Sequence, residues 1–376
     1  MPDDETTPAG GGTPAPLDLA ELRSALAEND HPWRMTQTSI SRLTEDQRRL
    51  RLGVPLTDEA LAGAAAVDVL AAQARAQAAG APAAFDVRSV DGVDYDGDGV
   101  RNQGGCGSCV AFGTVGAAEI VYRFTRRVPH GVDLSEAHLF YVHGRSHGVT
   151  CETGWMPGPA YADFSAKGVT LEDYYPYTAG DQDGTSRLNA DWPNRVAKVT
   201  GSVDLTGDPA RIKQHISTYG AATACFVVFQ DFFSYGSGVY RHVTGEAAGG
   251  HCVVLIGYDD AAGCWIARNS WGAGWGDQGW FRIGYGECSI ETWQVIGPTG
   301  VSLRAWLPDQ RVLGLWSNEA DGNLWAYAEN RGWLKLDGGA VPTNVAMAGE
   351  LAASKALGRP VGLFEDNGSV QQIYAW

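Results

Sequence analysis

The segment NQGGCGSCVAFGTVGAAEIVYRF, beginning at Asn102, constrains this chain more than any other. A Gly-rich turn runs into a helical pattern in which Phe112, Val115, Ala118 and Tyr122 recur at core spacing, so Cys109 is predicted at the start of a packed helix. A thiol at that position is favoured as thiolate by the partial positive charge of the helix N-terminus. A nucleophilic thiolate also needs a base. His251 opens the strand-like run GGHCVVLIGY, and Asn269, within CWIARNSWGAGWG, can orient an imidazole through its side-chain oxygen. Taken singly these residues say little, because a lone cysteine is usually core and a lone histidine usually a surface or capping group.

The cysteine count adds to this. Seven is an odd number, which in an oxidising compartment suggests disulfides plus one leftover thiol, and all seven fall between residues 81 and 300. This pattern points to a secreted or extracytoplasmic protein, yet the opening MPDDETTPAGGGTPAP lacks the basic start and apolar stretch of a signal peptide. With 28 basic against 44 acidic residues the formal charge is −16, and no basic run could track a phosphate backbone, so nucleic acid is not an expected partner. A membrane span is not expected either.

Composition divides the chain into four stretches. Residues 1–16 read as a disordered leader. Residues 17–80 are helix-prone, with Leu19, Leu22 and Leu26 at helical spacing and an Ala-rich run up to Gly80. Residues 81–300 combine one strong helix with strands starting near Ala224, His251, Cys264 and Gly279, which predicts an α+β fold. Residues 305–376 read as a separate small β-rich domain of three strands, a helix and two strands, the last two paired across Asn367-Gly368.

The Cys-Gly-Ser-Cys signature with distant His and Asn resembles the papain family of cysteine peptidases, over about 220 residues from Ala84 to Pro298. Leu134-Ser135-Glu136, YYPYTAG from Tyr174 and SGVYRHVTGEAAGGH from Ser237 support the likeness, and the last is most like cathepsin B. The resemblance implies a two-lobed fold, a helical lobe against a β-barrel lobe, and a thiolate-imidazolium peptidase that needs no cofactor. It makes Cys109 the nucleophile, His251 the general base and then acid, Asn269 the orienting residue, and Gln103 an oxyanion-hole donor beside the backbone N–H of Cys109. Gly154 would pair with the substrate strand. Trp271, grouped with the substrate-binding residues, would shield the Asn–His hydrogen bond. Trp155, Met156, Cys225, Cys252 and Trp293 would line the pocket for the second residue before the scissile bond, giving an apolar preference. Cys106 and Cys151 match a family disulfide. Cys225 with Cys252 and Cys264 with Cys288 are either further pairs or buried free thiols.

Several features depart from the family pattern. Val110 stands where a Trp is usual, and Thr153 replaces a glycine, which predicts a tighter substrate-strand edge. The stretch from His143 to Cys151 is too short for the cleft-blocking loop of cathepsin B, which predicts an endopeptidase. Residues 17–80 resemble a short inhibitory propeptide, with Trp33 as anchor and Leu52-Gly53 near the cleft; a helical scaffold without inhibitory role is the alternative. The tail's element order resembles the B subunits of five-subunit bacterial toxins, implying a glycan or oligomeric partner, against a plain stabilising domain. Asp94, Asp96 and Asp98 have the opening spacing of a calcium loop but lack its closing glutamate, and a solvated acidic turn is favoured. A competing function for the whole chain is a peptidase-like protein that binds without turnover.

Overall fold

The computed structural model describes residues 18–65, 80–97, 99–129, 132–180, 186–329 and 331–375. The leader and most of the Ala-rich run therefore lie outside the described residues.

The N-terminal stretch begins with helix α1 (Leu19–Glu28), capped by the Asp18 carboxylate and burying Leu22 and Leu26. Strand β1 (Trp33–Met35) follows, then α2 (Glu45–Arg49), whose Thr44 and Gln47 form a reciprocal capping box, and α3 (Asp58–Ala65). Strand β1 adds to the edge of the main sheet at Gly238 and Ser237. Trp33 is the anchor: it is 1% exposed, packs on Tyr235 and Tyr240, and donates its indole N–H to the Arg241 carbonyl at 2.8 Å.

After β2 (Ala84–Asp86), the Gly-rich turn enters α4 (Cys109–Arg126), which is buried on all sides from Cys109 to Phe124 rather than along one stripe. Its glycines explain how closely it seats. A Cβ on Gly113 would lie 2.7 Å from the Cys252 sulfur, and one on Gly116 would lie 2.1 Å from the Arg268 guanidinium. Helix α5 (Pro157–Ala166) packs beside it in the helical lobe, followed by β3 (Val169–Thr170), β4 (Val196–Asp204) and α6 (Pro209–Tyr219). The sheet lobe holds β5 (Ala222–Phe229), β6 (Tyr235–Tyr240), β7 (Ala247–Asp259), β8 (Cys264–Arg268) and β9 (Trp280–Gly284), in the order β6-β9-β8-β7-β5. Each strand anticipated in this region is present.

The C-terminal stretch is less separate than its composition suggests. Strand β10 (Val295–Gln310) is continuous: its first residues pair with β5, its middle with β4, and its end with a strand of the tail. The anticipated break between residues 300 and 305 is therefore sheet. The tail itself runs β11 (Val312–Ser317), β12 (Leu324–Ala328), β13 (Gly332–Leu336), α7 (Val341–Leu357), β14 (Val361–Asp366) and β15 (Ser369–Ala375), the predicted order, with Asn367 and Gly368 both at positive φ in the hairpin turn. Buried Glu365 fastens it to α4, accepting from the Tyr122 hydroxyl at 3.3 Å and pairing with Arg126 at 3.3 Å. Among the described residues no helix is long and apolar enough to cross a membrane.

Candidate active site

Cys109 is the first residue of α4 and His251 lies on β7, so the candidate nucleophile and base come from two elements that pack against each other. The imidazole Nε2–H donates to the Asn269 side-chain oxygen at 2.8 Å, and that oxygen also accepts the Ser270 N–H at 2.7 Å. The amide is thus held with its oxygen toward the ring. This fixes the tautomer with Nδ1 unprotonated, as a base requires. Trp271 covers the imidazole at a ring separation of 4.7 Å and is itself 1% exposed within a layer containing Phe233 and Trp275. It acts on the site by excluding water from His251, rather than by presenting a surface to the cleft.

Gln103 is positioned by bonds that sequence reading did not anticipate. Its backbone N–H donates to the Ser270 carbonyl at 2.8 Å, its side-chain oxygen accepts from the Ser270 hydroxyl at 2.6 Å, and its backbone carbonyl accepts from the Tyr177 hydroxyl at 2.8 Å. The side-chain N–H groups are then aimed at the Cys106 carbonyl, 2.8 Å away, and at the carbonyl of Arg51, 3.1 Å away. Ser270 and Tyr177 carried no signal beyond lying in the matched segments, since their role is to hold another side chain.

The Arg51 contact reveals what fills the cleft. The chain from Arg51 to Val54 lies across it, with Val54 in a single antiparallel bridge to Gly250. Trp155 donates its N–H to the Gly53 carbonyl at 2.8 Å, and Val54 donates to the Gly250 carbonyl at 3.1 Å, next to His251. The approach is so close that only glycines fit. A Cβ on Gly53 would sit 1.9 Å from the Gly107 oxygen, and one on Gly154 would sit 2.1 Å from the Gly53 oxygen. Gly154 therefore serves the strand-pairing edge. Thr153 does not tighten that edge as anticipated: it is exposed, and its hydroxyl accepts the Thr150 N–H at 2.9 Å.

This covering changes the protonation expected for the pair. Cys109 and His251 are each 0% exposed. Burial pushes the thiol up to about 12; the charge of a neighbouring Cys225 thiolate would add to this, while N–H groups of Cys252, Gly53 and Val110 pull the other way. Burial pulls the imidazole down to about 4, against the hydrogen bond to Asn269 and the Arg51 carbonyl. The helix N-terminus alone predicts a thiolate, but in the covered cleft desolvation wins and both groups are neutral.

The remaining site residues divide. Trp155, Cys225, Cys252 and Trp293 are buried, Met156 is half-buried, and all five belong to the apolar cluster that also contains Val54. Trp293 and the Val54 carbonyl both press on Gly250, where a Cβ would lie 2.4 Å and 2.5 Å from them. Val110 is fully buried in α4. Cys106 and Cys151 are bridged, closing a separation of 45 residues, which contributes about 4 kcal/mol through the unfolded chain. The open question over the other four resolves as buried unbridged thiols, with Cys225 directly opposite Cys252 on β5 and β7.

The acidic turn is solvated only in part, with Asp94 exposed and Asp96 buried. Asp96 is 1% exposed, with one carboxylate oxygen 2.8 Å from Arg268 and the other accepting the Trp280 indole N–H at 2.7 Å. Asp94 accepts the Asp96 N–H, and Asp98 lies outside the described residues. Among the described residues no cluster of three or more His, Cys, Asp or Glu could hold a metal.

With this geometry in place, comparison with known proteins decides the family. The model of the papain family cysteine proteases matches residues 81–297. The chain belongs to the papain family of cysteine proteases. It is similar to cathepsin B-like CP3 of Giardia intestinalis, 36% identical over 215 residues, covering 53% of this chain and 68% of the relative. It is also similar to a gut-specific cysteine proteinase of Caenorhabditis elegans, 30% identical over 293 residues, 70% of this chain and 87% of the relative. Among solved structures, procathepsin B S9 from Trypanosoma congolense shares the fold with a TM-score of 0.61 at 22% identity, covering 76% of this chain and 99% of that one. That overlay reaches beyond the segment matched by the family model.

Proposed function

We propose that this chain is the zymogen of a cysteine endopeptidase in which Cys109 attacks the scissile carbonyl, His251 takes the thiol proton and returns it to the leaving amine, and Gln103 with the Cys109 N–H holds the oxyanion. The observation that carries this is the Arg51–Val54 segment. Its Arg51 carbonyl accepts from the Gln103 amide as a substrate carbonyl would, within a cleft whose Asn269 already sets the base tautomer. Residues 17–80 are then an inhibitory pro-segment rather than a scaffold, since residues 51–54 within them occupy the site instead of merely supporting it. Retention of all four groups, with His251 hydrogen-bonded to Asn269, favours turnover over a binding-only role.

Val54 and Trp293 meeting at Gly250 support a small or aliphatic preference at the second residue before the scissile bond. For the tail, the buried Glu365 anchor supports a stabilising role, and exposed Trp316, Trp333 and Tyr374 support an interaction surface beside it. A fluorogenic dipeptide panel on the acid-processed enzyme tests the pocket. Val or Leu should exceed Arg at that position by roughly tenfold or more, since one apolar fit is worth 1–3 kcal/mol. Arg outperforming both would overturn the assignment.

A further inference from the structure

Two thiols sit beside the nucleophile that peptide hydrolysis does not use. Cys225 on β5 and Cys252 on β7 are directly opposed in an antiparallel pair, so their side chains share one face of the sheet. The Cys225 N–H donates to the Gln294 carbonyl at 3.1 Å, on the side of the strand away from β7. The Cys225–Cys252 pair is consequently of the non-hydrogen-bonded kind, in which Cα atoms stand about 4.5 Å apart, inside the range a disulfide spans. Their face is the one turned to α4. The Cys252 sulfur rests against Gly113, one helical turn beyond Cys109, and all three cysteines lie in one apolar cluster, each 0–1% exposed. All three are unbridged and buried.

We propose that Cys225 and Cys252 form a resolving dithiol that returns a peroxide-oxidised Cys109 to its reduced state. The inference rests on Cys109 being the reactive thiol of the uncovered enzyme. Hydrogen peroxide transfers one oxygen to the Cys109 thiolate, giving the sulfenic acid and, after proton return, water. The Cys225 thiol attacks that sulfur, a Cys109–Cys225 disulfide forms and the hydroxyl departs as water with the Cys225 proton. The Cys252 thiolate then attacks the Cys225 sulfur, and Cys109 leaves as thiolate. The net change is peroxide reduced to two waters and Cys225–Cys252 oxidised to a cross-strand disulfide. The nucleophile is spared the irreversible step to sulfinic acid.

The test is peptide mapping by mass spectrometry of the acid-processed enzyme after brief exposure to hydrogen peroxide, together with labelling of Cys109 by a thiol-selective epoxide. Wild type should give a Cys225–Cys252 disulfide peptide with Cys109 still labelled. Cys252→Ser should stop at a Cys109–Cys225 disulfide, with labelling lost and restored by dithiothreitol. Cys225→Ser should carry Cys109 to sulfinic acid roughly tenfold faster than wild type. Wild-type mapping decides the matter even where a variant folds poorly. Sulfinic Cys109 in wild type without any Cys225 disulfide would overturn the proposal. Absence of epoxide labelling before peroxide would instead overturn the assignment of Cys109 as nucleophile.

Discussion

Replacing Gly53 by alanine should release the enzyme while leaving its active site untouched. The added Cβ would fall 1.9 Å from the Gly107 oxygen and 2.3 Å from its carbonyl carbon, both backbone atoms that cannot turn aside, so the segment must lift. Lifting it forfeits the Gly53–Trp155 hydrogen bond, about 1 kcal/mol net, and much of the burial of Val54 and Leu52, about 1–2 kcal/mol each. The covered state should weaken by about 3 kcal/mol or more, which raises the uncovered fraction roughly a hundredfold. The assay is the rate of epoxide labelling of Cys109 in the intact full-length chain at neutral pH. Gly349→Ala is the control, since a Cβ there meets nothing within 4 Å. If Gly53→Ala labels at the wild-type rate while the chain remains full length, the segment does not gate the cleft and the reasoning fails.

Two further outcomes follow from the same geometry. The imidazole of His251 lies near 4 in the covered state, against an ordinary value of about 6.5, so between these values the uncovered state binds the proton and the covered state does not. With the Cys109 thiol protonated in both states, acid therefore favours uncovering, by up to about 3 kcal/mol once the pH reaches 4. Labelling of the full-length chain, normalised to processed enzyme at each pH, should climb as pH falls from 6.5 to 4, and a flat profile would contradict this. Glu365→Ala should leave Arg126 and Arg331 without their buried partner, destabilising the chain by about 3 kcal/mol. Urea unfolding should show one transition displaced downward; an unchanged main transition with the tail melting alone would show that the tail is not fastened to α4.

Much of this was legible because short-range rules act on it. The helix after the Gly-rich turn, the strands around His251 and Cys264, the tail's element order and its Asn367-Gly368 hairpin all follow from periodicity and turn chemistry. Cys109, His251 and Asn269 could be singled out because their motifs are specific, and the last two are hydrogen-bonded. The parts that escaped depend on distant partners. Nothing local marks Asp96 as the carboxylate that meets Arg268, 172 residues away, and so the DYDGDG turn reads as solvated. The thiol's ordinary electrostatics point to a thiolate, but its state is set by a segment from 55 residues upstream that removes water. The continuity of β10 through residues 300–305 escaped because a composition shift within one strand looks the same as a linker.

The central claim is that Cys109 is a papain-type nucleophile held neutral and covered by residues 51–54. Epoxide labelling of Cys109, before and after acid removal of the N-terminal segment, tests it most directly. The account predicts little labelling in the full-length chain at neutral pH and stoichiometric labelling at Cys109, with peptide hydrolysis, once the segment is gone. Equal labelling in both states would contradict the covering segment, and no labelling in either would contradict the nucleophile itself.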